Sequence, residues 1–321
     1  MKAIQMNEVG GPDVLRWTEV SDPRAGEGEA VVSVAAAGLN FIDTYHRSGL
    51  YPVELPFTPG SEASGTVVEV GSGVTDVAVG DRVAWAAVRG SYAELAVIPA
   101  NQLVPVPENI DFAVAAAVML QGMTAHYLVN DTFPLSPGDK CLIHAGAGGV
   151  GLLLIQMAKM IGAEVFTTVG SAEKSKLAKV AGADHVILYR DVDFGDEVER
   201  LGGERYLDVV YDGVGKTVFR RSLDLLRPLG MMATFGNASG PVDPISPLEL
   251  APSLFLTRPT LFHYIATREA LLSRSSDLFN WIESGRLDVR IGATVPMEDA
   301  AEAHRMLEGR LTTGKVILAR S

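Results

Sequence analysis

The stretch Lys140-Cys-Leu-Ile-His-Ala-Gly-Ala-Gly-Gly-Val-Gly151 constrains the chain more than any other. An apolar run enters a glycine cluster and continues into an apolar, helix-forming segment. Gly146, Gly148 and Gly151 stand at the glycine places of the dinucleotide fingerprint, which serve a tight turn, close approach of backbone to a pyrophosphate, and close packing of helix on strand. A helix starting there turns unpaired N–H groups and the positive end of its dipole toward that pyrophosphate. The flanks agree: residues 150–161 predict a helix ending at Gly162, and 164–169 predict the next strand.

The end of that second strand narrows the cofactor. NAD-binding folds place an Asp or Glu about 20 residues beyond the glycines to accept the ribose 2′-hydroxyl. This chain has Gly170 there, then Ser171 and, a helical turn later, Lys174. An acidic side chain would repel a 2′-phosphate, whereas small residues and a lysine leave it room, N–H donors and a counter-charge. NADPH is therefore expected in preference to NADH. Ser171 also suits the N-cap of a helix over 172–181, and capping is compatible with phosphate binding.

A length of 321 residues suggests about two domains. The net charge of −12, with no basic block, argues against nucleic acid or an anionic membrane as partner. The lone Cys141 lies within the fingerprint strand, which predicts a buried filler and leaves no intramolecular disulfide or four-cysteine zinc site. The N-terminus lacks the apolar core of a signal peptide, and no run is taken as long enough to cross a bilayer, so a cytoplasmic location is expected.

Up to about Asn109, short β-rich runs (30–34, 65–70, 82–87, 92–98) alternate with Gly and Pro turns and predict a compact barrel-like unit. Residues 112–129, after Asp111, predict a helix. From about Thr132, strands at 141–145, 164–169, 185–188, 207–211 and 231–235 alternate with helices, most of them continuously apolar as strands buried on both faces should be. Beyond Phe262, helices at 268–284 and 299–308 and a strand at 315–319 do not extend that alternation. The last strand is expected to return to the first unit.

Ligands in such sheets bind beyond the carboxyl ends of the strands. Those ends are 144–151, 170–174, Tyr189-Arg190, 212–214 and 235–237. Tyr189 could serve the 2′-phosphate or adenine, or be a surface tyrosine. Phe235-Gly236-Asn237 could lie along the nicotinamide half, or be a plain glycine turn. The His residues show no HExxH spacing, and His144 is read as a hydrogen-bonded core histidine; no GxSxG elbow occurs. Hydride chemistry remains, needing orientation and water exclusion more than a reactive side chain. Residues 38–51 are read as a loop that gathers Asn40, Tyr45, Arg47 and Tyr51, either packed on the barrel or lined up for a flat, electron-poor ligand whose carbonyl oxygens Asn and Tyr could steady.

In this order the pieces Gly10-Gly-Pro-Asp-Val-Leu15, Asn40-Phe-Ile-Asp-Thr-Tyr45, Gly60-Ser-Glu-Ala-Ser-Gly65, Gln121-Gly-Met-Thr124, Ala145–Gly151, Tyr211-Asp-Gly-Val-Gly215, Phe235–Gly240 and Thr257-Arg-Pro259 resemble the zinc-free, zeta-crystallin-like quinone oxidoreductases of the medium-chain dehydrogenase/reductase superfamily, over essentially the whole chain. The resemblance implies an α/β architecture: a GroES-like β-barrel catalytic domain from residues 1–125 and 265–321, and a Rossmann doubly wound parallel-sheet domain over 126–264 that binds NADPH. It also implies a homodimer paired through edge strands near 254–261. Zinc-dependent relatives have Cys where Asn40 stands, His where Ser61 stands and a third ligand near Gln121, so no metal is expected. Some members carry Lys at the position of Gln121. The implied cofactor contacts are Phe41, Ile42, Asp43, Thr44, Tyr45, Tyr127, Gly148, Gly149, Val150, Gly170, Ser171, Lys174, Tyr189, Gly213, Phe235, Gly236, Asn237, Ala238, Ser239, Phe262, His263, Tyr264 and Arg310. Lys315 matches a C-terminal lysine that approaches the cofactor.

The expected activity is NADPH-dependent, metal-free reduction of a quinone in the cleft between the domains. Asn40, Tyr45, Tyr51 and Gln121 would position the substrate, and no residue stands out as general acid. One rival is reduction of an enone or enoyl thioester on the same scaffold. Another is a non-enzymatic, crystallin-like NADPH-binding protein.

Overall fold

The computed structural model describes residues 1–320, which fall into two compact units: Met1–Met123 with the C-terminal segment from Tyr264, and Thr124–His263.

The first unit is built on the long strand Glu29–Leu39. Glu62–Val70 and Leu95–Pro99 pair with it antiparallel, Arg82–Ala86 pairs with Glu62–Val70, and Val104–Pro105 closes that edge. On the other side Lys315–Ala319 runs antiparallel along residues 36–39, and Ile291–Pro296 lies beside it. Ile4, Val32, Trp85, Tyr92, Ile98, Leu103 and Leu318 fill the interior. The central strand exceeds the predicted 30–34 because it is buried on both faces, so its Ala-rich second half shows no alternation to read. Register shifts between Val31 and Val32 and between Val34 and Ala36 bend it.

Two expectations need correction. Residues 38–51 are not simply a loop: Phe41–Ser48 is a helix. The backbone N–H of Asn40 donates to Asp43 Oδ2 at 2.9 Å, one half of the reciprocal bonding that starts helices, and Gly49 ends it at φ +82°. The second concerns membrane-length segments. Phe112–Thr132 is long and apolar enough to cross a bilayer by length and composition, contrary to the expectation. Most of its apolar surface is buried in the protein, as in a core helix: Phe112–Tyr127 is α-helical and Leu128–Thr132 continues it as a π-turn.

The second unit is an all-parallel sheet in the order His185–Leu188, Glu164–Val169, Lys140–Ile143, Leu207–Asp212, Leu226–Thr234, Phe255–Thr257. Numbered along the unit, that is the doubly wound order 3-2-1-4-5-6. The order reverses between Lys140–Ile143 and Leu207–Asp212, which places the switch point at the fingerprint turn. Leu142, Phe166, Ile187, Val210 and Met232 pack beneath the helices. Leu226–Thr234 begins five residues before the predicted 231, carrying the chain through Leu229 at φ +65°.

Candidate dinucleotide cradle and amide site

The strand Lys140–Ile143 opens through residues 144–148 into the helix Gly149–Ile161. The glycines divide their work. A Cβ on Gly146 would lie 1.9 Å from Thr167 Oγ1, and one on Gly151 would lie 2.4 Å from the Ala145 carbonyl, so both are demanded by packing. Gly148 is different. Its backbone is extended (φ −80°, ψ 174°), and an added Cβ would meet only the Ala145 carbonyl, at 3.2 Å. Gly148 is the least crowded of the three, although a Cβ there would still press on a backbone carbonyl. As N-cap it offers no side-chain bond to the helix N-terminus, leaving those N–H groups to an anion. Gly149 and Val150 are half-buried in the first turn.

At the end of Glu164–Val169, a Cβ on Gly170 would lie 2.8 Å from Tyr189 Oη, so the tyrosine leans over the glycine from the neighbouring strand end. Ser171 caps the helix Ala172–Val180, its Oγ accepting from the Lys174 N–H at 3.3 Å. Gly170, Ser171, Lys174 and Tyr189 thus gather at one corner of the sheet. His144, behind the turn, is a buried core histidine: its Nδ1 lies 3.0 Å from Thr168 Oγ1 and its Nε2 2.8 Å from Ser222 Oγ. Burial lowers its pKa to about 3. Cys141 is buried too, and burial pushes its thiol far above the usual range.

Across the switch point, Asp212 is fully buried and accepts from the Val214 and Gly215 N–H groups at 2.7 and 2.9 Å. Its pKa rises to about 6 because burial outweighs those bonds. A Cβ on Gly213 would meet the Phe235 ring at 3.0 Å, and one on Gly236 the Gly213 carbonyl at 2.3 Å. Residues 235–239 therefore lie directly on the 212–214 turn, pinned by Ala238 N–H to Gly213 O and Ser239 N–H to Val214 O. Asn237, Ala238 and Ser239 are half-buried. Phe262 and His263 are exposed at the end of the unit.

In the first unit the site centres on Asn40, only 4% exposed. Its Nδ2 donates to Glu62 Oε1 at 2.7 Å and to the Gly38 carbonyl at 3.3 Å. Its Oδ1 accepts from Lys315 Nζ at 2.9 Å and from Gln121 Nε2 at 3.1 Å. Lys315 and Glu62 form an ion pair that is 1% and 0% exposed. Gly38 makes room for it, since a Cβ there would fall 2.3 Å from Glu62 Oε1 and 2.6 Å from Lys315 Cε. Glu62 Oε2 also accepts from the Leu120 N–H, tying the strand to the Phe112–Tyr127 helix.

This geometry revises several expectations. Both amide hydrogens and both acceptor positions of Asn40 are committed, so it has no donor for a substrate carbonyl. Asp43 is fully buried and accepts from Ser61 Oγ and Tyr92 Oη, each at 3.0 Å. Tyr127 and Lys315 are each 1% exposed. The side chains of Asp43, Tyr127 and Lys315 therefore face the interior of the protein, on elements whose inward face the sequence did not mark. Thr44 is buried with its hydroxyl on the Phe41 carbonyl. Arg47 turns inward to Glu308 and the Gly10 carbonyl. Phe41, Ile42, Tyr51 and Gln121 are half-buried; Tyr45 stands edge-on to Tyr51 with ring centres 5.3 Å apart. Tyr264 is half-buried beside Arg274, and Arg310 is exposed at φ +56°. Sequence reasoning missed Glu62 as a site residue and took Asp212 only as part of a strand end. Their signal was a charged residue inside a run that is otherwise small and apolar.

The donor set does not fit zinc. Asn40 is spent, Ser61 Oγ donates to Asp43, and the Lys315 ammonium already bonds Asn40. Among the described residues no cluster of three or more His, Cys, Asp or Glu could hold a metal ion.

A barrel unit of this topology and a doubly wound unit with a dinucleotide cradle define a medium-chain dehydrogenase/reductase. Family models agree: residues 26–108 match the alcohol dehydrogenase GroES-like domain and 149–282 the zinc-binding dehydrogenase family. The chain is 44% identical to a quinone oxidoreductase of Pseudomonas aeruginosa, covering 99% of each, and 41% identical to a 2-haloacrylate reductase of Burkholderia, covering 98% of each. The structure of Escherichia coli quinone oxidoreductase complexed with NADPH superposes with a TM-score of 0.97 at 42% identity, over 99% of this chain and 100% of that one. The chain belongs to the zinc-free, zeta-crystallin-like quinone oxidoreductase family.

Proposed function

We propose that this protein is an enzyme that reduces quinones with NADPH, without a metal. The observation that carries this is the glycine-lined start of the helix Gly149–Ile161, whose N-terminal N–H groups no side chain caps. The backbone N–H groups at the start of Gly149–Ile161 hold the pyrophosphate, and Gly170, Ser171, Lys174 and Tyr189 take the 2′-phosphate end. Gly213 and residues 235–239 carry the nicotinamide end, where glycine backbone lets a flat ring approach. Phe262, His263, Tyr264 and Arg310 are assigned to the same ligand by resemblance. When bound, NADPH supplies a hydride. Tyr51 and Phe41 offer aromatic surface to a flat acceptor, with the buried Tyr45 edge-on to Tyr51, and Gln121 offers an amide. The quinone gains a hydride and then a proton; the hydroquinone anion is a weak base beside an alkoxide, so solvent can deliver that proton.

The test is consumption of NADPH absorbance with a panel of quinones. Turnover dependent on NADPH supports the assignment, and no turnover with any quinone overturns it. The relative that reduces 2-haloacrylate favours a second activity, hydride addition to an activated carbon–carbon double bond. Equal assays with a naphthoquinone and a haloacrylate or small enone separate the two. We assign the protein to the cytoplasm and to a homodimer, the latter supported by the exposed Phe255 and Leu256 on the open edge of the parallel sheet.

A further inference from the structure

The buried ion pair decides more than its own stability. An ammonium can only donate and a carboxylate only accept. Lys315 Nζ must therefore face an oxygen of Asn40, and Glu62 Oε1 must face its nitrogen, which fixes the Asn40 amide in one of its two orientations. With Asn40 Oδ1 pointing at Gln121, Gln121 must in turn present its nitrogen, at 3.1 Å. The remaining atom, Gln121 Oε1, is buried and has no donor. Gln121 itself is half-buried. The polarity of this chain of amides is thus dictated from the charged end.

We infer that Gln121 Oε1 is a hydrogen-bond acceptor reserved for an N–H or O–H donor on a bound ligand, and that Lys315 and Glu62 are the positioning residues that hold it so by way of Asn40. The site recognises a donor-bearing group, not a bare carbonyl. Two ligand groups carry such a donor: the carboxamide of a nicotinamide ring, and a hydroxyl on the acceptor molecule. The inference rests on the proposed function for this choice of groups. A buried acceptor left without a donor costs free energy, and a ligand that supplies one recovers it.

The test compares wild type with Gln121→Leu, Lys315→Arg and the charge-free double variant Lys315→Met/Glu62→Gln. Dissociation constants are measured by fluorescence titration for NADPH and for its reduced 3-acetylpyridine analogue, which carries a methyl ketone in place of the carboxamide. KM is measured for a benzoquinone bearing a hydroxymethyl group and for its methyl counterpart. Wild type is expected to favour the donor-bearing member of one pair by about tenfold, a hydrogen bond's worth. The pair that discriminates identifies the group. That preference should vanish in Gln121→Leu and in the double variant and persist in Lys315→Arg. If wild type binds NADPH but discriminates in neither pair, or if Gln121→Leu keeps the preference, the acceptor role is wrong although the proposed activity stands. Loss of the preference in Gln121→Leu with its retention in the double variant removes Lys315 and Glu62 from the positioning role. Should the double variant not fold, Lys315→Arg decides: loss of the preference there, with the donor-free analogue still bound, overturns the role. Failure of wild type to bind NADPH at all would refute the proposed function instead.

Discussion

Lys315 Nζ donates to Asn40 Oδ1 at 2.9 Å, between two residues that are 1% and 4% exposed. Glu62 balances that charge, so the ammonium survives burial only as part of a pair. Lys315→Ala should leave the Glu62 carboxylate buried and uncompensated, at a cost of about 3–5 kcal/mol. Lys315→Met/Glu62→Gln, which removes both charges, should recover most of that. Urea unfolding of the two variants checks this, and equal losses would contradict the pairing.

The fingerprint glycines should separate by experiment. Gly151→Ala forces a methyl onto the Ala145 carbonyl and should lower stability by about 1–3 kcal/mol. Gly148→Ala should leave stability within about 1 kcal/mol of wild type. It should nevertheless weaken NADPH by about tenfold or more, because the methyl stands where the pyrophosphate approaches. Thermal unfolding and fluorescence titration of both variants give the two readouts.

Charge at the corner formed by Gly170, Ser171 and Tyr189 should set the choice between NADPH and NADH. Lys174→Ala should weaken NADPH by about tenfold to a hundredfold, the range of a hydrogen bond to a charged group, and NADH hardly at all. Dissociation constants for both dinucleotides test it. Equal losses would remove Lys174 from the phosphate site.

His144 gives a pH dependence whose sign is fixed by its burial. The folded protein keeps it neutral down to about 3, whereas the unfolded chain takes up a proton near 6.5. Between those values the unfolded state binds more protons, so this histidine's contribution is fully present above 6.5 and is lost as pH falls toward 3. The slope is at most about 1.4 kcal/mol per pH unit. Asp212 acts oppositely over its own window: its folded pKa is raised from 3.8 to about 6, so its contribution is lost as pH rises between them. His144→Gln should flatten the acid side of the stability curve, measured by urea unfolding at several pH values. An unchanged slope would mean that His144 is protonated in the folded state.

The nucleotide-binding sheet was legible from the residues alone. Its strands are continuous apolar runs broken by glycines, and the strands 164–169 and 185–188 and the fingerprint turn stand where the pattern put them, because local chain chemistry dictates all of these. The sequence also placed His144 in the core and Ser171 at a helix cap. What the sequence did not carry was which way side chains turn in the small-residue strands of the first unit. There Glu29–Leu39 hides its full length, the helix Phe41–Ser48 reads as a loop, and nothing local marks Asp43, Glu62 and Lys315 as inward-facing. Only the tertiary structure decides that these charges face inward, because residues 275 and 253 positions apart must meet before Lys315 can bond Asn40 and Glu62. A buried charge is tolerable only beside its partner, and no local pattern can announce a partner that arrives from the far end of the chain.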